Sequence, residues 1–256
     1  MDYIQWQLVT DYSEISMPTL LKPSQERSRE TRLVLSDWSG VFSDNRKVVY
    51  SAAMRIMESH GKPTLEFSEW LRLPHRGPAE LFREHGIADN HGFLAEQQYK
   101  AKPGEVKFSS GKPTLYSDAK FVLGEISRTG IPIVILSSRP AYHVIAEARE
   151  SGIDGFFSEV VGGVKDRRKG ILEVLNRRAV EPQYALYIGD NIYNISAAKE
   201  IGVFSVGITT GHHHKSSLQA SAPDALVDSL SELTQVIMPM LRKGTDKLNI
   251  KNDIYY

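Results

Sequence analysis

Short apolar runs rich in β-branched residues recur along this chain, each ending in a polar or glycine-bearing turn. They are Leu33-Val34-Leu35, Ile133-Val134-Ile135-Leu136, Val160-Val161, Ala185-Leu186-Tyr187-Ile188 and Phe204-Ser205-Val206-Gly207-Ile208. Between them lie stretches with helical spacing. Phe121, Leu123 and Ile126 end at Gly130, Val144, Ile145 and Ala148 end at Gly152, and Ile171, Leu172 and Leu175 form a third set. A glycine just past the last apolar position is a helix C-terminal signal. Strands alternating with such helices specify an α/β chain built on a parallel sheet covered on both faces. Sheets of that class bind ligands beyond the C-terminal ends of their strands, so those ends are the place to look for function.

Polar residues gather there. The first run leads into Ser36-Asp37-Trp38-Ser39-Gly40, the second into Ser137-Ser138-Arg139-Pro140 and the fourth into Gly189-Asp190-Asn191. A carboxylate leaving an apolar strand needs a partner, and capping the following helix is one outlet. Two aspartates and a hydroxyl at one sheet edge point instead to a hard cation and a phosphate, because Mg²⁺ takes one or two carboxylates together with waters and phosphate oxygens. Composition narrows the alternatives. Thirty-one Lys and Arg balance thirty-one Asp and Glu, so no global field draws the chain to nucleic acid or to an anionic membrane, and neither is expected as a partner. The absence of cysteine excludes disulfides, thiolate metal sites and cysteine nucleophiles. The acidic, interrupted N-terminus is unlike a signal peptide, and the apolar runs fall far short of the roughly 20 residues that span a bilayer. A cytoplasmic protein is the expectation.

These motifs together resemble the haloacid dehalogenase-like hydrolases, most closely the phosphoglycolate-phosphatase-like branch. Leu33-Val-Leu-Ser-Asp37-Trp-Ser39-Gly40-Val-Phe-Ser-Asp44 is similar to that family's first motif, and Ile-Leu-Ser137-Ser-Arg-Pro to its second. Gly162-Gly163-Val164-Lys165 resembles the lysine motif. The segment from Tyr187 through Gly189-Asp190, Asn194 and Ala197-Ala198 to Gly202 resembles the fourth. The resemblance covers residues 31–235 and implies a three-layer, Rossmann-like core with an inserted α-helical cap. It implies Mg²⁺ as cofactor and a small phosphorylated substrate, with Asp37 as the nucleophile that becomes an aspartyl phosphate. Ser137 would hydrogen-bond the transferring phosphoryl group, with Ser138 beside it on the substrate, and Lys165 would neutralise its oxygens. Asp37, Asp190 and the backbone carbonyl of Ser39 would hold the metal, and Asn194 would orient a metal-bound water. Lys169 competes for the lysine role and reads more simply as a solvated helix residue.

Ser39 departs from the pattern, since the family's phosphatases place an aspartate there to protonate the leaving oxygen and then activate water. A serine hydroxyl has too high a pKa for either duty near neutral pH. Three readings follow: a phosphatase working without that acid, a phosphate-binding relative that has lost turnover, or a hydrolase of C–P or C–halogen bonds. Residues 1–30 match no motif and read as an N-terminal extension. Residues 31–44 and 112–241 read as the core, 45–111 as the helical cap and 242–256 as a polar tail. In the cap, Val48, Val49, Ala53, Ile56 and Met57 end at Gly61, with further helical pieces around 79–84 and 93–100. Arg76, in the loop Pro74-His75-Arg76-Gly77, lies where related caps carry a basic residue that contacts substrate. His212-His213-His214 looks like a metal tract but follows the fifth strand directly, where a plain loop is the simpler reading.

Overall fold

The computed structural model describes residues 31–73, 78–88, 99–102, 105–108 and 112–242. Six parallel strands form one sheet: β1 (Leu33–Ser36), β6 (Ile133–Leu136), β7 (Glu159–Val161), β8 (Ala185–Gly189), β9 (Phe204–Ile208) and β10 (Ala225–Val227), in the spatial order β10-β9-β8-β1-β6-β7. The chain starts in the middle, runs to one edge through β6 and β7, then returns to fill the other side. That reversal places the topological switch at the C-terminal end of β1, where Asp37 follows directly.

Each strand buries both faces because helices cover both. On β1, Val34 packs into one apolar cluster while Leu33 and Leu35 pack into the other, the two-residue period of a pleated strand. The first cluster is closed by α4 (Ala119–Ser127), α5 (Ala141–Glu150) and α9 (Leu230–Arg242). The second is closed by α6 (Arg167–Arg177), α7 (Ile192–Ile201) and α8 (Lys215–Ala220). The expected helix closing on Gly130 is present, but Phe121 faces outward at 64% exposure while Val122 and Leu123 beside it are buried. Its apolar face runs through Ala119, Val122, Leu123 and Ile126 instead.

Between β1 and β6 lies an insert with its own small core. The helices α1 (Arg46–Ser59), α2 (Phe67–Trp70) and α3 (Pro78–Glu84) pack Val49, Met57, Trp70, Leu81 and Phe82 together. The helical piece expected around 93–100 is corrected at its end: Tyr99–Lys102 is a strand, β3, paired antiparallel with β4 (Glu105–Phe108). Residues 93–98 lie outside the described residues. The two segments that cross between insert and core pair with each other, β2 (Ser43–Asp44) against β5 (Thr114–Leu115). Among the described residues, no helix is long and apolar enough to cross a membrane.

Candidate active site

Two aspartates emerge at the C-terminal edge of the sheet. The helix after Asp190 is capped by its neighbour Asn191, which accepts the N–H of Tyr193 at 2.9 Å, and the helix after Asp37 begins only at Arg46, with Asn45 at its N-cap position. Asp37 and Asp190 face a cavity of ≈ 230 Å³. Each is about 5% exposed.

Both oxygens of Asp37 are engaged. Arg167 Nη2 meets Oδ1 at 2.7 Å, and Asn194 Nδ2 donates to Oδ2 at 2.8 Å. Burial pushes the Asp37 carboxyl up to about 6. Arg167 and the Asn194 amide pull it back down, while the neighbouring Asp190 pushes it further up. Asp190 is raised by the same loss of hydration and held down chiefly by the His212 backbone N–H, which donates to Oδ2 at 2.9 Å. Two loops close tightly on that carboxylate. A Cβ at Gly211 would lie 1.9 Å from Asp190 Oδ2, and one at Gly40, whose φ is +78°, would lie 2.1 Å away. Glycine at both positions lets the backbone approach this closely.

The loops after β6 and β7 are zipped together by backbone bonds. Ser137 N–H donates to Val161 O at 2.9 Å, Val164 N–H to Ser137 O at 2.9 Å, and Gly163 N–H to Arg139 O at 2.8 Å. Ser137 Oγ accepts the N–H of Arg139 at 3.1 Å, so its own proton remains to be donated. Ser138 is exposed on the same cavity wall. Ser39 also lines the cavity, and its buried hydroxyl has no hydrogen-bond partner among the described residues. The insert contributes Val49 and Pro78 to the wall.

Lys165, expected to neutralise the phosphoryl oxygens, is exposed, and the cation that meets Asp37 in this structure is Arg167, two residues further on. The reason lies in the helix start. Asp166 is the N-cap of α6 and accepts the Lys169 N–H at 3.1 Å, so helix begins at Arg167 and turns that side chain over the sheet edge. The N-cap signal at Asp166 was present in the sequence. Lys169 is exposed, as a solvated helix residue would be. Arg76 lies outside the described residues.

His212 is a site residue that sequence reasoning passed over. Besides its backbone bond to Asp190, its ring Nε2 meets Asn45 Oδ1 at 3.0 Å, tying the loop after β9 to the first helix of the insert. Burial holds its pKa down to about 4. The three histidines diverge: His213 is buried near Asn191 and His214 is the exposed N-cap of α8. Among the described residues, no three His, Cys, Asp or Glu groups cluster as a metal site.

A family model described as haloacid dehalogenase-like hydrolase matches residues 34–208. A phosphoglycolate phosphatase from Synechococcus elongatus is 21% identical over 82% of this chain and 99% of its own length. A phosphoglycolate phosphatase from Pseudomonas putida is 26% identical over 79% of this chain and 78% of its own. Among solved structures, a haloacid dehalogenase-like family hydrolase from Streptococcus pneumoniae superposes with a TM-score of 0.66 at 18% identity, covering 80% of this chain and 97% of that one.

Proposed function

This chain belongs to the haloacid dehalogenase-like hydrolases and is an enzyme, and from that premise we propose that it is a Mg²⁺-dependent phosphatase of a small phosphomonoester, working through a phosphoryl group carried on Asp37. The observation that carries this reading is the pair Asp37 and Asp190, buried together at the sheet edge with Arg167 on one Asp37 oxygen. The donor set suits Mg²⁺: two carboxylates and backbone oxygen, all hard ligands. Burial raises both carboxyls, and a cation between them would relieve that cost. Asp37, Asp190 and the Ser39 carbonyl would hold the ion, and Asn194, whose amide nitrogen donates to Asp37, would orient a bound water through its amide oxygen. When bound, the ion supplies positive charge for the phosphoryl oxygens.

The chain's own residues supply the remaining steps. Asp37 attacks phosphorus and the ester P–O bond breaks, the leaving oxygen taking a proton from solvent. Arg167 balances the charge on the phosphoryl oxygens while the Ser137 hydroxyl donates to one of them. Water then attacks the phosphorus of the aspartyl phosphate, releasing inorganic phosphate and restoring Asp37. A cavity of ≈ 230 Å³ is below the roughly 300–1,000 Å³ of sites that enclose drug-sized ligands, which supports a substrate of a few carbons. The two phosphoglycolate phosphatases among its relatives make 2-phosphoglycolate the first ester to try. The insert, lining one wall, would act as a cap that limits water.

Ser39 favours a second reading, a phosphate-binding relative with little turnover, because it offers no proton near neutral pH. Phosphate release from 2-phosphoglycolate, other small esters and phosphonates, and halide release from haloacids, each measured with and without Mg²⁺, separate the cases. The proposal expects Mg²⁺-dependent release from small esters that Asp37→Asn abolishes. Binding without release would favour the second reading. Cleavage of phosphonates or haloacids alone would overturn both.

A further inference from the structure

An asparagine at an N-cap ordinarily turns its side-chain oxygen onto an N–H in the first turn of its own helix. Asn45, at the start of α1, makes no such capping bond. Its Oδ1 lies instead 3.0 Å from Nε2 of His212, a residue 167 positions away on the loop after β9. An amide oxygen only accepts, so the imidazole donates through Nε2. Both residues line the cavity, and Asn45 is buried. The same His212 donates its backbone N–H to Asp190 Oδ2 at 2.9 Å. One residue thus holds the carboxylate with its backbone and the entry of the insert with its ring.

The two residues before His212 tie the same loop down further. Thr210 Oγ1 donates to Gly40 O at 2.6 Å, and Thr210 O accepts the Tyr116 hydroxyl at 2.6 Å. Tyr116 follows β5, the segment that leads back from the insert, and its N–H donates to Phe42 O at 3.0 Å. Gly211 brings the backbone so close to Asp190 that a Cβ would lie 1.9 Å from Oδ2. Residues 210–212 therefore grip both segments that cross to the insert and close on Asp190 at the same time. A carboxylate held by such a loop presents its oxygens to a cation only as the loop allows. We propose that His212 is a positioning residue for the cation: its ring, held by Asn45, sets the backbone N–H that orients Asp190, so the start of the insert governs metal affinity without touching the metal. This rests on the Mg²⁺-dependent reading above and adds to it two residues outside the ligand set.

The backbone N–H of His212 survives every substitution of its side chain, so a change in affinity reports where that N–H is held. Mg²⁺ binding is measured by calorimetry on the full chain without substrate, in wild type, Asn45→Ala, His212→Ala, His212→Gln and the double alanine variant, with Asp190→Asn as the control. Losing a partner that orients a metal ligand costs about tenfold or more in affinity, so each alanine variant should bind Mg²⁺ about tenfold more weakly. The double variant should lose no more than about twofold beyond either single one, because both changes remove the same bond. Glutamine carries an amide N–H close to the place of Nε2, so His212→Gln should keep most of the affinity. The two alanine changes break the bond from opposite ends, so one folded variant is enough to decide. Thermal unfolding without Mg²⁺ is followed alongside. A merely structural contact would lower Tm and leave the affinity of the folded chain unchanged. That result, or additive losses in the double variant, overturns the proposal and leaves the phosphatase reading standing, provided that Asp190→Asn weakens binding. No Mg²⁺ binding by wild type, or binding that Asp190→Asn leaves intact, overturns both.

Discussion

At the level of single residues, the site divides its charges with economy. One cation, Arg167, sits on Asp37, the proposed nucleophile, and Asn194 holds the other oxygen without adding charge. Arg167→Ala should lower kcat/KM by about 10²–10³, the range for loss of one preorganised donor to a developing anion. Lys165→Ala, at an exposed position, should stay within about twofold. Steady-state kinetics on both variants checks the assignment, and the reverse ranking would restore the lysine. Ser39 carries the other prediction at this scale. General acid–base catalysis contributes about 10²–10⁴, so Ser39→Asp should raise turnover of alkyl phosphates by at least about tenfold and do little for p-nitrophenyl phosphate, whose leaving group departs without a proton. A folded, Mg²⁺-binding Ser39→Asp enzyme with no gain on alkyl phosphates would mean that another residue supplies the proton.

Elements explain which parts of this site the sequence could show. The runs at 33–35, 133–136, 185–188 and 204–208 fall on β1, β6, β8 and β9, because continuous β-branched segments bounded by turns have one low-energy use in an α/β chain. Asp37, Ser137 and Asp190 followed from strand ends alone. Arg167 did not, because a one-residue difference in where a helix starts decides which side chain faces the cavity. His212 was illegible for another reason: its contacts with Asp190 and Asn45 are made by loops 22 and 167 residues apart in sequence, and no local pattern encodes them. The strand at Tyr99–Lys102 was hidden by its polar composition, which carries neither period clearly. Loop approach also sets the position of Asp190, the proposed metal carboxylate. Gly211→Ala would push on Asp190 Oδ2 at 1.9 Å, moving the carboxylate rather than unfolding the sheet. Calorimetry should show Mg²⁺ affinity falling by about tenfold or more while circular dichroism is unchanged, a loss equivalent to one displaced ligand contact. Unaltered affinity would place the ion away from Asp190.

For the whole molecule, the buried carboxylates couple folding to pH and to the cation. Asp37 and Asp190 hold protons more tightly folded than the ordinary carboxylate value of 3.8. Over that interval the folded chain binds protons that the unfolded chain has released, so without a cation their contribution to stability is full below about pH 4 and is lost as the pH rises through about 6. Mg²⁺ needs the ionised pair, so the rise in Tm it produces should be large above that interval and small below it. Thermal unfolding with and without Mg²⁺ on both sides of the interval measures this, and an equal rise on both sides would place the ion elsewhere. The proposed mechanism turns on one event, transfer of a phosphoryl group to Asp37. Rapid mixing with p-nitrophenyl phosphate and Mg²⁺, followed by acid quench and peptide mapping, tests that event most directly. The account predicts a burst of p-nitrophenol matched by a phosphoryl group on Asp37, because loss of the base at Ser39 slows the second step. Turnover that persists in Asp37→Asn, with no phosphorylated Asp37 in the quenched wild type, would contradict it.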